Sequence, residues 1–297
     1  MKSKRKQIEG KLGAAAFRWA LRVMGRKSQI QAERIGARWG RRFFKLSRKH
    51  RERALANLKL AFPDRPDAER LLIAESTFEH FGRTTADFLR SWSRSEKEFE
   101  DSMSVNGVEH LEAALAQGRG VLLITGHFGN WERLSAWLSS RGYPLSVIAR
   151  DANDSGLNSL VNSLREKPGT RVVPRGNSTR TILERLKANE LIGILPDQNS
   201  QEQIIPFFGH PAGTVMGPGV LHERTGAPVV CCWCVYVSPG NYQMWFEPAL
   251  EAERTEIKGE GMMRAIHHSL EAVISAHPEQ WLWFHDRWKF ARQKGLM

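Results

Sequence analysis

The rhythm of apolar and polar positions changes near residue 106. Before it the spacing is helical. Leu12, Ala15, Ala16, Trp19 and Val23 can share one helix face, with Lys11, Arg18, Arg22 and Arg26 elsewhere. Residues 29–60 continue with Ile30, Ile35, Trp39, Phe43 and Phe44 set among arginines, residues 63–66 turn the chain, and residues 67–91 are periodic through Leu71, Leu72, Phe78, Phe81, Thr85 and Leu89. The first hundred residues are therefore expected to be helical. Beyond residue 106, short apolar runs at 120–124, 145–149, 171–173, 191–195, 229–237 and 242–246 alternate with helical patterns at 131–140, 156–166, 178–188 and 217–225. Alternation at this spacing predicts an α/β fold, a mixed sheet flanked by helices, over residues 101–297. Residues 1–100 are then expected to form a helical N-terminal region, a candidate for membrane association.

Charge and composition narrow the class. The 297 residues carry a net charge of +12, which calls for an acidic partner: nucleic acid, anionic membrane, phosphorylated lipid or acidic carrier protein. No zinc finger, heptad array or defensible helix-turn-helix spacing favours nucleic acid. No run reaches the ~20 apolar residues of a membrane-spanning helix, and no signal-peptide cleavage pattern follows an apolar stretch. The basic amphipathic start either lies in a membrane interface or packs on the protein's own core. The ten tryptophans suit either a membrane interface or a Trp-rich core. The three cysteines fall together at Cys231, Cys232 and Cys234 within an apolar run, and are expected to be reduced core residues.

Candidate chemistry concentrates at residues 121–132. Val121 to Ile124 read as a buried strand, Gly126 and Gly129 bend the chain, and a helix follows with Trp131, Leu134, Trp137 and Leu138 on one face. His127 then sits where a buried strand meets open space, and Glu132 lies in the first turn of the helix. On one continuous helix, residues five apart point about 140° from each other; a loop-borne histidine with a helix-borne glutamate escapes that restriction. A histidine paired with a carboxylate is what proton abstraction from a hydroxyl requires. Spacing alone leaves open an ordinary strand-end histidine and first-turn acid.

Arg150, Arg165, Arg171 and Arg175 lie around expected strand ends and form a candidate bed for phosphate oxygens. Asp197 and Gln198 follow the run 191–195, at the carboxyl end where α/β sheets place ligand groups. Asp197 either binds a substrate hydroxyl or an arginine, or forms a turn. The loop 206–218, with Phe207 and Phe208, either lines a path for an acyl chain or packs internally. Trp281, Trp283, Phe284 and Trp288 are expected to be core, with Arg287 and Lys289 reaching only surface phosphates. No nucleophile elbow, Walker loop, dinucleotide fingerprint or zinc-hydrolase spacing is present, so no cofactor or metal is expected.

The stretch His127-Phe-Gly-Asn-Trp-Glu132 resembles the signature of the bacterial late lipid A acyltransferases, the lauroyl- and myristoyl-transferring family within the lysophospholipid acyltransferase-like superfamily. Asn57-Leu-Lys-Leu-Ala-Phe-Pro63, Leu195-Pro-Asp-Gln198 with Ile205-Pro-Phe-Phe-Gly209, and residues 278–289 resemble three further blocks of that family, in order. The resemblance spans roughly residues 30–290 and implies a glycerolipid acyltransferase-like core. It implies an acyl thioester donor, acyl carrier protein or another, a lipid A precursor as acceptor, and a place on the cytoplasmic face of the bacterial inner membrane. It also favours Arg165 as a substrate-binding residue; Asn130, Arg150, Arg175, Asp197 and Gln198 complete that candidate set. The family commonly has an acid where this chain has Asn199, which puts a second carboxylate role there in doubt.

The mechanism expected is a one-step transfer without an acyl-enzyme. His127 takes the proton of a lipid or sugar hydroxyl, Glu132 orients His127, and the oxygen attacks the thioester carbonyl. Backbone amides near Gly126, or an arginine, stabilise the oxyanion. Two rivals remain open at this point: an acyltransferase of the same fold acting on a lysophospholipid or other glycolipid, and a basic peripheral membrane or nucleic-acid-binding protein.

Overall fold

Val121 to Ile124 are buried without exception, and their side chains divide between two separate cores. Leu122 and Ile124 point into one core, Val121 and Leu123 into the other, as the period-two geometry of a strand covered on both faces requires. This strand, β2 (Val121–Ile124), is central in the computed structural model of the protein, which describes residues 2–149, 155–174 and 178–297.

The sheet has seven strands in the order β1-β9-β8-β2-β5-β3-β4. Its other members are β1 (Met103–Asn106), β3 (Leu145–Ala149), β4 (Arg171–Pro174), β5 (Leu191–Ile194), β8 (Val229–Ser238) and β9 (Asn241–Phe246). Strands β8, β2, β5, β3 and β4 run parallel, while β9 pairs antiparallel with β8 and carries β1 alongside it. The α/β class and the mixed sheet are as expected, and all six predicted strands form. A separate hairpin of β6 (Gln203–Phe207) and β7 (His210–Thr214) was not anticipated.

Helices cover both faces. On one lie α5 (Glu96–Asp101), α6 (Val108–Leu115) and α7 (Trp131–Ser140), through Phe99, Leu111, Leu134 and Leu138. On the other lie α2 (Gln29–Leu46), α3 (Arg48–Ala61), α4 (Asp67–Arg90), α9 (Ser178–Lys187), α10 (Gly217–Thr225) and α11 (Glu260–Ala276), with the C-terminal tryptophans. Cys231, Cys232 and Cys234 are free and buried, and burial raises all three thiols, Cys234 to about 12. They are core residues, as expected, and not nucleophiles. Trp281, Trp283 and Trp288 are also core, and Phe207 packs with them. Of the two readings of the 206–218 loop, Phe207 follows internal packing, whereas Val215, Gly217 and Pro218 line a cavity beyond the strand ends.

The first helix, α1 (Lys2–Gly25), packs through Phe17, Leu21 and Met24, while Ala15, Ala16 and Trp19 stay exposed. No helix of the described residues is long and apolar enough to cross a membrane.

Candidate active site

Parallel pairing brings the candidate residues together. β2 and β5 are neighbours with Ile124 opposite Ile194, so residues three beyond each strand, His127 and Asp197, emerge side by side. His127 Nδ1–H donates to Asp197 Oδ1 at 2.9 Å, and the His127 backbone N–H donates to Oδ2 at 2.8 Å. Trp281 Nε1–H adds a third bond to Oδ2, at 2.9 Å. Burial works against the Asp197 charge, but the nearby His127 and these hydrogen bonds outweigh it and hold the carboxyl down at about 2. An ionised carboxylate only accepts, so the neutral ring carries its proton on Nδ1 and presents the Nε2 lone pair on its other side. Gln198 Nε2 lies 3.3 Å from that nitrogen.

The expectation that Glu132 orients His127 is corrected by this geometry. The Glu132 side chain instead meets Arg165, from α8 (Ser155–Glu166): Arg165 Nε lies 3.1 Å from each carboxylate oxygen, and Nη2 2.5 Å from Oε1. Burial disfavours the Arg165 charge, and Glu132 more than offsets this, leaving its pKa raised. Glu132 points across to α8, whereas the strand neighbour of the His127 loop is β5. His127, Glu132, Arg165 and Gln198 nevertheless line one cavity of about 850 Å³. Its apolar wall includes Val147, Ile148, Val161, Ile182, Leu195, Val220 and Leu221.

Other candidates separate from this group. Asn130, expected to bind substrate, is wholly buried as the cap of α7: its Oδ1 accepts from Arg133 N at 3.2 Å and its Nδ2 donates to Asp87 at 2.9 Å. Arg171 starts β4, at the end of the parallel strands opposite His127, and pairs with Glu190 at 2.8 Å. Arg150 and Arg175 lie outside the described residues. Arg287 does not reach surface phosphates: it is fully buried, bonded to the Gly213 carbonyl and Thr214. Asn199 fastens the loop after β5, its backbone N–H donating to His285 and its side chain accepting from Phe290 N.

A second layer on α4 holds the His127 loop from behind. His80 Nε2 meets the Gly129 carbonyl at 2.9 Å, and Gly129 takes a φ of 57°. A Cβ at Gly129 would lie 2.0 Å from the Cys234 carbonyl, so glycine is required there on two counts. Burial is the main force lowering His80 to about 4, with Arg83 assisting against the Gly129 bond. The folded state thus prefers the neutral ring; this stability is complete above about pH 6.5 and is lost as pH falls towards 4. At pH 5 the loss should be about 2 kcal/mol. Melting temperature between pH 6.5 and 5 should therefore fall more steeply for the wild type than for His80→Gln, and coincident slopes would refute it.

The chain matches the family described as bacterial lipid A biosynthesis acyltransferase over residues 7–290. It belongs to that family. The protein is an acyltransferase, which removes the reading as a non-enzymatic basic binding protein. The chain is 26% identical over 222 residues to a phosphatidylinositol mannoside acyltransferase of Mycobacterium tuberculosis (strain ATCC 25618 / H37Rv), covering 72% of this chain and 69% of that one. It is 24% identical over 241 residues to the lipid A biosynthesis acyltransferase of Haemophilus influenzae, covering 80% and 75% respectively. With the lipid A biosynthesis palmitoleoyltransferase of Escherichia coli K12 it shares 26% identity over 242 residues, covering 80% and 78%. His127 and the apolar side chains line the same cavity of this acyltransferase.

Proposed function

We propose that this acyltransferase moves a fatty acyl chain from an acyl thioester, carried by acyl carrier protein, to a hydroxyl of a lipid A precursor, working as a peripheral enzyme on the cytoplasmic face of the inner membrane. The observation that carries the mechanism is His127, which borders the cavity with its Nδ1 held by Asp197 at 2.9 Å and its Nε2, 3.3 Å from the Gln198 amide, as the accepting nitrogen. In the transfer step Nε2 takes the proton of the acceptor hydroxyl as its oxygen bonds to the thioester carbonyl carbon. The tetrahedral intermediate then collapses, the carbon–sulfur bond breaks, and the imidazolium returns the proton to the leaving thiolate. Asp197 stabilises the imidazolium while it exists. The Gln198 amide lines the same cavity, and its NH₂ group, released from Nε2 when that nitrogen takes the proton, donates to the developing oxyanion. Glu132 acts through Arg165: the paired guanidinium is held at the cavity wall, where its remaining N–H groups can meet a substrate oxygen.

The apolar wall supports the acyl chain as its occupant, and the +12 charge suits a donor, an acceptor and a membrane that are all acidic. The similarity to the mycobacterial enzyme, named for a phosphatidylinositol mannoside, favours one second reading, in which the acceptor is another glycolipid. Mass spectrometry of total lipids and of lipid A, from cells with and without the gene, separates the two. The first reading expects a lipid A species lighter by one acyl chain in the deletion strain. Unchanged lipid A with an under-acylated glycolipid would transfer the proposal to the second reading, and no change in either would remove both.

A further inference from the structure

Helix α2 shows three distinct faces. Ala32, Gly36, Gly40 and Phe44 are buried. A Cβ on Gly36 would lie 2.2 Å from the Gly82 carbonyl oxygen, and one on Gly40 would lie 2.0 Å from that of Phe78, so α2 is seated on α4 backbone to backbone. This seam fixes the rotation of the helix, which cannot roll to bury a different side. A second face, at i, i+4 and i+7, consists of Trp39, Phe43 and Leu46, exposed by 60%, 44% and 84%. The third carries Arg34, Arg38, Arg41 and Lys45 at the same helical spacing, with Arg42 between the two and its guanidinium 5.2 Å from the Trp39 ring.

The charge on this helix is one-sided. Its single acid, Glu33, is 2% exposed and occupied by Gln29, Gly240 and Tyr242. Arg41 pairs with Glu79, but Arg34, Arg38, Arg42 and Lys45 have no ion pair among the described residues. Exposed aromatic and aliphatic side chains beside unpaired basic ones are what an anionic lipid surface binds: the apolar stripe enters the headgroup boundary and the cations meet phosphates. The stripe also leads to the chemistry. Phe43 lies 6.4 Å from Phe284, Phe284 5.3 Å from Phe81, Phe81 5.9 Å from Trp131, and Trp131 5.4 Å from His127, between ring centres.

We infer that the exposed face of α2 is the docking surface of this enzyme for an anionic bilayer, and that the aromatic ridge from Phe43 to Trp131 connects the bilayer to the cavity. This rests on the peripheral membrane reading and adds the surface that performs it.

The test is co-sedimentation of the full chain with vesicles of phosphatidylethanolamine and phosphatidylglycerol, and separately of phosphatidylcholine. The wild type should bind the anionic vesicles and bind the neutral ones far less. Trp39→Ala with Leu46→Ser should weaken anionic binding at least about tenfold. Arg34→Gln, Arg38→Gln and Arg42→Gln together should weaken it on the order of a hundredfold. All these side chains are exposed, so thermal melting and turnover of detergent-dispersed substrates should stay at wild-type values. Trp19→Ala should bind as the wild type does. Undiminished binding by the Trp39/Leu46 variant, or binding abolished by Trp19→Ala alone, overturns the assignment to α2 while leaving the peripheral reading intact. A wild type that binds neither vesicle overturns the peripheral reading as well. Self-association lost in the Trp39/Leu46 variant, with vesicle binding retained, would give the stripe to a second copy of the chain.

Discussion

His127→Ala should lower acyl transfer by a factor of about 10²–10⁴, the range for losing a general base, while the protein still unfolds cooperatively. The ring is partly exposed at the edge of the cavity and contributes little to either core. Asp197→Asn should come close to the same loss. An amide in place of the carboxylate removes the charge that stabilises the imidazolium, and its NH₂ group can turn the ring to the wrong tautomer by donating to Nδ1. It also disturbs the bonds from the His127 backbone and Trp281, so thermal melting must accompany the assay. Glu132→Gln and Arg165→Lys should be milder, each keeping a partial link between α7 and α8, and Arg165→Lys loses the planar fork that spans both carboxylate oxygens. Single-turnover rates at saturating donor and acceptor decide the order. If Glu132→Gln were as damaged as His127→Ala and Asp197→Asn retained more than about a third of wild-type activity, the assignment of Asp197 as orienting residue would be wrong, since general-base effects are far larger.

The reason the sequence paired His127 with Glu132, and read Asp197 only as a substrate-binding candidate, is physical. Local periodicity identifies a strand, a bend and a helix from residues 121–140, and the structure has all three at those positions. It carries no information on which other strand lies beside β2. The register 121–191 to 124–194 sets His127 beside Asp197, yet the two are 70 positions apart, and only the completed sheet makes them neighbours. Trp281 was hidden for the same reason: a tryptophan in an aromatic cluster reads as core, and it is core, but its indole N–H also holds the Asp197 carboxylate. Asn130 failed in the opposite direction. Polar and within the motif itself, it looked like a ligand-binding group, whereas an asparagine just before a helix is also a cap. The hairpin β6–β7 was masked by its prolines and glycines, whereas α11 carries a regular apolar stripe, Met263, Ile266, Leu270 and Val273, that the sequence reading passed over.

Asp87→Asn should be the most destabilising single change in the layer behind the site, with a loss of about 3–5 kcal/mol and a fall in melting temperature of about 10 °C. Asp87 on α4 is 1% exposed and receives two bonds from Arg133 at 2.9 Å, one from Arg94 at 2.7 Å and one from Asn130 at 2.9 Å. Burial would raise its pKa, but Arg133 and Arg94 together push it far below the usual carboxylate range. A lowered carboxyl pKa stabilises the fold above the unfolded value, so the contribution is complete at neutral pH and fades only on acidification below about pH 4. The amide preserves the shape and removes the charge. Two buried guanidiniums are then left without their counter-ion, and a new N–H group must face donors already in place. The consequence reaches the chemistry because Asn130 and Arg133 begin the helix that presents Glu132, and His80 on the same α4 holds Gly129. Turnover measured well below the melting temperature should therefore fall by less than about tenfold, since positioning is loosened but His127, the proposed base, is retained. A melting temperature within about 2 °C of wild type would show that water, not Asp87, balances the two arginines, because a change that small corresponds to no more than about 1 kcal/mol.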